Sequence, residues 1–162
     1  MSPDILQLAD YSLSKLHMDF VHSEQDEGQS NLLSLSFDYD IFINTDSELR
    51  RMLALKVYGF QHCKNGQKTG LDFELEIRGI FLLPESMEAD RQEALLRLNG
   101  VSILYSTLRG IVGNLSGSFP GGRFCLPTVL PQEILKHVDA RKQSNAQSPA
   151  KPSKKKKPDP TN

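Results

Sequence analysis

The hydrophobic period of this chain changes once, at Pro84, and that change restricts the fold more than any other feature of the sequence. Before it, Leu33, Leu35, Phe37, Tyr39 and Ile41 alternate with Ser34, Ser36, Asp38 and Asp40. Leu71, Phe73, Leu75 and Ile77 alternate in the same way with Asp72, Glu74, Glu76 and Arg78. A period of two puts every second side chain on one face, so both stretches read as strands with one dry and one wet side. Met52 to Phe60 is a third strand, in which Leu53, Leu55 and Val57 oppose Tyr58 and Phe60. Leu13 to Val21 is the remaining one; Leu16, Met18 and Phe20 share a face, and Leu13 is out of phase with them, as an irregular start or a bulge requires. Asn44-Thr45-Asp46-Ser47 and the Asn-Gly of Lys64-Asn65-Gly66-Gln67 are turn sequences suited to antiparallel pairing.

Beyond Pro84 the spacing becomes helical. Ala94, Leu98, Val101, Tyr105, Leu108, Val112 and Leu115 recur at alternating steps of four and three, and Leu104 and Ile111 widen the stripe. With Ser86 as N-cap, the pattern predicts one helix over 88–115, about 40 Å long at the α-helical rise. Gly100, Gly110 and Gly113 either allow another helix close approach or break this one near Gly110. A Gly/Pro loop (116–128) and a short helix from Pro131 to about Val138 complete the order. Strands followed by helices, without βαβ alternation, define an α+β layout: a four-stranded antiparallel sheet, one long helix, a Gly/Pro loop and a short helix.

Charge divides the chain into two parts. Residues 1–140 carry nineteen acidic and twelve basic side chains, net −7; residues 141–162 carry seven basic and one acidic, net +6. The second part is Lys-, Pro- and Ser-rich with no large apolar residue after Val138, so it cannot offset its chain entropy by burial and is expected to be a disordered, solubilising tail. Its lysines suit nucleic acid or an anionic membrane electrostatically, but with no aromatic residue it cannot stack on bases, and no nucleic-acid partner is expected. No apolar run approaches the ~20 residues that cross a bilayer, and Met1-Ser2-Pro3-Asp4 does not begin a secretory signal. Cys63 and Cys125 form no disulfide framework, which together with the missing signal leads to the expectation of a cytoplasmic protein.

Reactive constellations are missing from the sequence. Asp38 with Asp40, and Asp72 with Glu74 and Glu76, sit on solvated strand faces, without the turn that gathers metal ligands. His62 beside Cys63 has no second ligand pair; His17, His22 and His137 stand alone. Gly121-Gly122-Arg123 lacks the phosphate-loop pattern. The expectation is therefore a protein that is not an enzyme, with no catalytic residues, metal or cofactor.

Ile103-Leu104-Tyr105-Ser106-Thr107-Leu108-Arg109, followed by Ser118-Phe119-Pro120-Gly121-Gly122 and Leu126-Pro127, resembles the long-helix and connecting-loop signature of SecB-type export chaperones. In that pattern an arginine (Arg109) comes four residues after an aromatic (Tyr105), and a Phe-Pro turn (Phe119-Pro120) follows. Ser106 stands where a proline is common, and Pro127-Thr128-Val129-Leu130 replaces a Pro-Val-Asn-Phe element, which is nearer to divergent SecB-like proteins, some of which serve toxin–antitoxin systems. The resemblance implies an ATP-independent holdase that keeps unfolded client polypeptides soluble, clients being export preproteins or an antitoxin. The alternative is a dedicated module binding a single partner on the same scaffold. It also implies a homo-oligomer, a tetramer built as a dimer of dimers, with Leu98, Val101, Tyr105, Leu108, Val112 and Leu115 between subunits. Client-binding grooves would be lined by Phe37, Tyr39, Phe119, Phe124, Leu126, Leu130 and Ile134, and Asp72, Glu74 and Glu76 would form the acidic face that docks the SecA motor.

Overall fold

The computed structural model describes residues 5–21, 32–43, 47–62, 68–118 and 123–147. Four strands, β1 (Gln7–Val21), β2 (Leu32–Ile43), β3 (Arg50–His62) and β4 (Lys68–Leu82), form one antiparallel sheet of order β1-β4-β3-β2. The expected turn 64–67 and most of the turn at 44–47 lie outside the described residues, although the strands they join pair along their full length. β1 starts at Gln7, six residues earlier than its apolar pattern suggested, and its register shifts between Leu8 and Asp10 and again between Leu13 and Lys15. These bulges explain why Leu13 and Leu16 are out of phase yet both face the helices, opposite Ile77 and Leu75. β1 crosses the sequence to pair with β4, Phe20 opposite Leu71, and no local pattern encodes that choice.

Alternation sorts the sheet as expected. Leu53, Leu55, Val57, Leu71, Phe73, Leu75, Ile77 and Phe81 are buried on the inner face, and their polar neighbours point outward. Gly59 is required by a close approach: a Cβ there would collide with the Phe73 ring and with Leu35, so the bare backbone of β3 lets these two side chains meet across it.

The predicted single helix is interrupted, though not at Gly110. Helix α1 (Ala89–Leu95) passes through a π-helical turn (Leu96–Gly100) into α2 (Val101–Leu115). The wide turn inserts one residue into the helical phase. Gln92 upstream of it and Leu96 at its start therefore face the core, while Ala94 is exposed and Leu98 only half-buried, which corrects the stripe drawn from the sequence. Glu88, not Ser86, is the N-cap, and it makes no side-chain capping bond. Buried Gln92 instead ties the helix start to the strand exit, its Nε2 donating to the Pro84 carbonyl at 2.6 Å.

Helix α3 (Pro131–Gln147) begins with proline at its first position, where no N–H is needed, and the Leu130 carbonyl accepts the amides of Glu133 and Ile134. It runs nine residues past the Val138 end suggested by its apolar pattern. The reason is electrostatic: Arg141 reaches Asp38 at 3.0 Å, and Lys142 Nζ donates to the Tyr39 carbonyl at 2.9 Å. The second contact satisfies a backbone acceptor of edge strand β2, which the sheet itself leaves free. Residues 148–162, most of the expected tail, lie outside the described residues.

Candidate functional site

Leu126 is the deepest residue of the segment that crosses from α2 to α3, and it is buried in the core with Ile134 and Val138. The segment, 123–130, has no regular structure of its own. Four side chains fix its backbone to α2. Tyr105 Oη donates to the Pro127 carbonyl at 2.7 Å, and Arg109 Nε donates to the Leu126 carbonyl at 2.9 Å. Ser116, fully buried, accepts the Phe124 N–H at 2.8 Å and returns its hydroxyl to the Phe124 carbonyl at 2.9 Å. Arg123 Nε donates back to the Gly113 carbonyl at 2.9 Å. Buried or half-buried backbone groups of a loop need such partners, and here Tyr105 and Arg109 of α2, with Ser116 just after its end, supply them about one turn or two apart.

With its backbone held, the segment presents apolar side chains at the surface. Phe124 is half-buried and tilts against Phe73, ring centroids 5.5 Å apart; through Phe73 and the gap at Gly59 it is continuous with Leu35. Val129 is half-buried and Leu130 is 59% exposed. Phe124, Val129 and Leu130 are the large apolar side chains of the segment that keep access to solvent.

Of the proposed groove residues, Phe124 and Leu130 thus reach the surface. Phe37, Tyr39, Leu126 and Ile134 do not: all four are buried within this chain. Phe37 packs edge-on against Tyr105, centroids 5.9 Å apart. Tyr39 is the centre of a polar lock on α3, where Arg97 Nε donates to its hydroxyl at 2.9 Å and Arg97 also holds Asp139 at 2.9 and 3.0 Å. Burial raises the Tyr39 pKa, against the opposing hydrogen bond and charge of Arg97. Phe119 lies outside the described residues.

The six proposed interface residues also divide. Val101, Tyr105, Leu108 and Val112 are buried by the chain's own sheet and loop, so no second subunit is needed to cover them; the sheet does so because the stripe faces it. Leu98 is half-buried and Leu115 is 42% exposed. Asp72, Glu74 and Glu76 share the outer face, as predicted by alternation, but they are not bare charge. Glu74 pairs with Lys15; Glu76 accepts from Ser14 at 2.9 Å and from Arg78 at 2.7 Å. Burial works to raise the Glu76 pKa, yet those two donors and the nearby Lys56 hold it below the usual carboxylate value.

Ser116, Arg123, Arg97, Asp139 and Lys142 were missed by reading the sequence. Ser116 carried a signal, a polar residue one helical turn beyond Val112 on the apolar stripe; the others act through contacts far apart in the chain.

The Tyr105 phenol gives a pH prediction. Burial pushes its pKa up to about 12, with Arg109 opposing. The unfolded phenol ionises near ~10, so the protonated form is favoured by folding. That stability is present below the unfolded value and is lost as pH rises through about 12. Tyrosinate absorbance should show Tyr105 ionising last, together with loss of near-UV circular dichroism, and Tyr105→Phe should remove that step. A Tyr105 that titrates with the exposed tyrosines would contradict its burial under the loop.

These features define a class: an α+β fold in which one antiparallel sheet carries a long interrupted helix and a terminal helix on a single face, with an irregular segment pinned between them. Among solved structures it is similar to the Mycobacterium tuberculosis Rv1957 SecB-like chaperone in complex with a ChAD peptide from the Rv1956 HigA1 antitoxin, with a TM-score of 0.62 and 15% identity over 77% of this chain and 91% of that one. The likeness is one of fold. No protein-family profile and no curated protein sequence matches the chain. Among the described residues no group of three or more His, Cys, Asp or Glu is placed to hold a metal ion, and no helix is long and apolar enough to cross a membrane.

Proposed function

We propose that this protein is an ATP-independent holdase that binds non-native polypeptides through the apolar side chains of the 123–130 segment and the half-buried Leu35 continuous with them. The observation that carries the reading is the contrast within that segment. Its backbone is fastened by Tyr105, Arg109 and Ser116, while Phe124 and Leu130 are left toward solvent. A rigid apolar surface lowers the entropy cost of capturing an extended chain, and scattered apolar contacts favour breadth over sequence specificity. The solved structure of similar fold was determined with a bound peptide, which accords with a polypeptide ligand. Assembly into a tetramer belongs to the same proposal. The apolar surface left for it comprises Leu115 with half-buried Ile103 and Ile111 on α2, and Tyr11 and Leu16 on the open edge strand β1.

The test is suppression of aggregation of a chemically denatured client, followed by light scattering without nucleotide. Equimolar protein should suppress scattering, and Leu130→Asp should lose most of that effect while keeping the wild-type melting temperature. No suppression at a large molar excess would end the holdase reading. The dedicated reading is favoured by the antitoxin peptide in the similar structure; in that case general clients would aggregate freely while one partner peptide binds tightly.

A further inference from the structure

The outer face of the sheet is polar along most of its length. Successive cross-strand rows read Asp19, Asp72, Phe60 and Ser34, then His17, Glu74, Tyr58 and Ser36, then Lys15, Glu76, Lys56 and Asp38. At one end it changes character. Ile80, Met52 and Phe42 stand in register on β4, β3 and β2, and with Ile43 they line an open depression of about 270 Å³. Phe42 is 45% and Ile43 72% exposed, which makes this end one of the most apolar exposed parts of the molecule.

Arg50 and Arg51 complete its lining. Arg51 Nη1 donates to the Arg50 carbonyl at 3.2 Å, and among the described residues neither guanidinium has a carboxylate within ion-pair distance. Arg78, Arg97 and Arg141, by contrast, each face one: Glu76, Asp139 and Asp38. Two guanidiniums without an ion-paired carboxylate among the described residues, beside an apolar trough, suit an anion that arrives with an apolar group attached.

The geometry points to a docking site for a partner polypeptide segment in which a bulky apolar side chain lies next to a carboxylate. The trough takes the side chain, and Arg50 and Arg51 take the acid. Its volume falls below the ~300–1,000 Å³ of clefts that enclose whole small molecules, so it suits one or two side chains of an extended segment. The chain's own C-terminal stretch is excluded by charge: residues 141–162 carry seven basic and one acidic side chain and are repelled by the arginines. The site is at the end of the sheet, with Ile80, Met52 and Phe42 on the outer face and Arg51 and Ile43, paired with each other, on the inner one. Ile80 is seven residues along β4 from Phe73, which the 123–130 segment covers, so the site goes beyond the holdase reading and does not depend on it.

The experiment uses the full chain and two short fluorescein-labelled peptides with the same Leu and Phe residues, flanked by aspartates in one and by lysines in the other. Fluorescence anisotropy should show the acidic peptide binding and the basic one not, with affinity falling as salt rises. Arg50→Glu with Arg51→Glu should weaken the acidic peptide at least about tenfold, the scale of losing charge-assisted contacts. Phe42→Ser, which leaves the charge alone, should weaken it as well, and Leu130→Asp should leave it unchanged. Circular dichroism melts check that each variant is folded. The proposal is overturned if both peptides bind alike, if neither binds, or if only Leu130→Asp reduces binding. Binding of anionic phospholipid vesicles in place of the peptide, abolished by the arginine variant, would overturn it in favour of a lipid surface. A fall in the mass of the protein on sedimentation of that variant would overturn it in favour of a second copy.

Discussion

Phe81→Ala should cost this protein about 3–5 kcal/mol of folding stability, the range for deleting a buried ring. Phe81 is fully buried near the end of β4. Its ring closes the space over two glycines: a Cβ at Gly79 would lie 3.0 Å from Phe81 Cε2, and one at Gly100 would lie 3.6 Å from Cζ. Neither glycine has a side chain that could move into the vacancy, so the cavity should persist, and the π-helical turn that ends at Gly100 should lose its support from the sheet. Against a total stability of ~5–15 kcal/mol for a domain of this kind, that is a large fraction. Urea denaturation monitored by circular dichroism should show a much lower midpoint with an unchanged slope. Leu16→Ala is the control, since Leu16 is an edge-strand residue that is 41% exposed, and it should cost about 1 kcal/mol or less. Equal losses in the two variants would mean that the ring does not bridge sheet and helix as described.

Ser116→Val should have the largest effect on activity relative to its effect on the fold. Valine is close in shape, so packing at this fully buried position is nearly preserved, but the Phe124 N–H and carbonyl both lose their partner. Leaving buried polar groups unpaired costs about 1–3 kcal/mol each, and here the segment can relieve that cost by lifting away from α2 toward water. Lifting would carry Phe124 off Phe73 and dissolve the apolar surface to which client binding is assigned. The expected result is a melting temperature lowered by only a few degrees and a loss of most aggregation suppression. Ser116→Thr, which keeps the hydroxyl, should restore part of it. Full suppression by Ser116→Val would show that the position of the segment is irrelevant to the activity.

Much of the scaffold was legible because alternation is a local signal. The run from Leu71 to Arg78 names its inner and outer faces residue by residue, and the structure keeps every one of those assignments. The bulge in β1 was legible as a phase error at Leu13. The site was less so. Exposure on the 123–130 segment depends on which of its side chains the anchored backbone turns inward, and nothing in Phe-Cys-Leu-Pro-Thr-Val-Leu distinguishes buried Leu126 from exposed Leu130. Tyr105 and Arg109 stood out as a motif, but their work, donating to the Pro127 and Leu126 carbonyls, joins residues seventeen or more positions apart.

The change of period at Pro84 thus settled the order of elements and the identity of the sheet core, since a two-residue or near-four-residue repeat fixes which side chains share a face whatever they pack against. It left open what each face would meet. The stripe of Val101, Tyr105, Leu108 and Val112, to which the resemblance gave a place between subunits, is buried within this chain, where a four-stranded sheet presents an apolar face wide enough to cover it. One inserted residue in the π-helical turn moved Leu96 inward and Ala94 outward, a change of phase that depends on contact with Phe81 and the strands. Burial is a property of pairs of surfaces, and a single chain read in order shows only one surface of each pair.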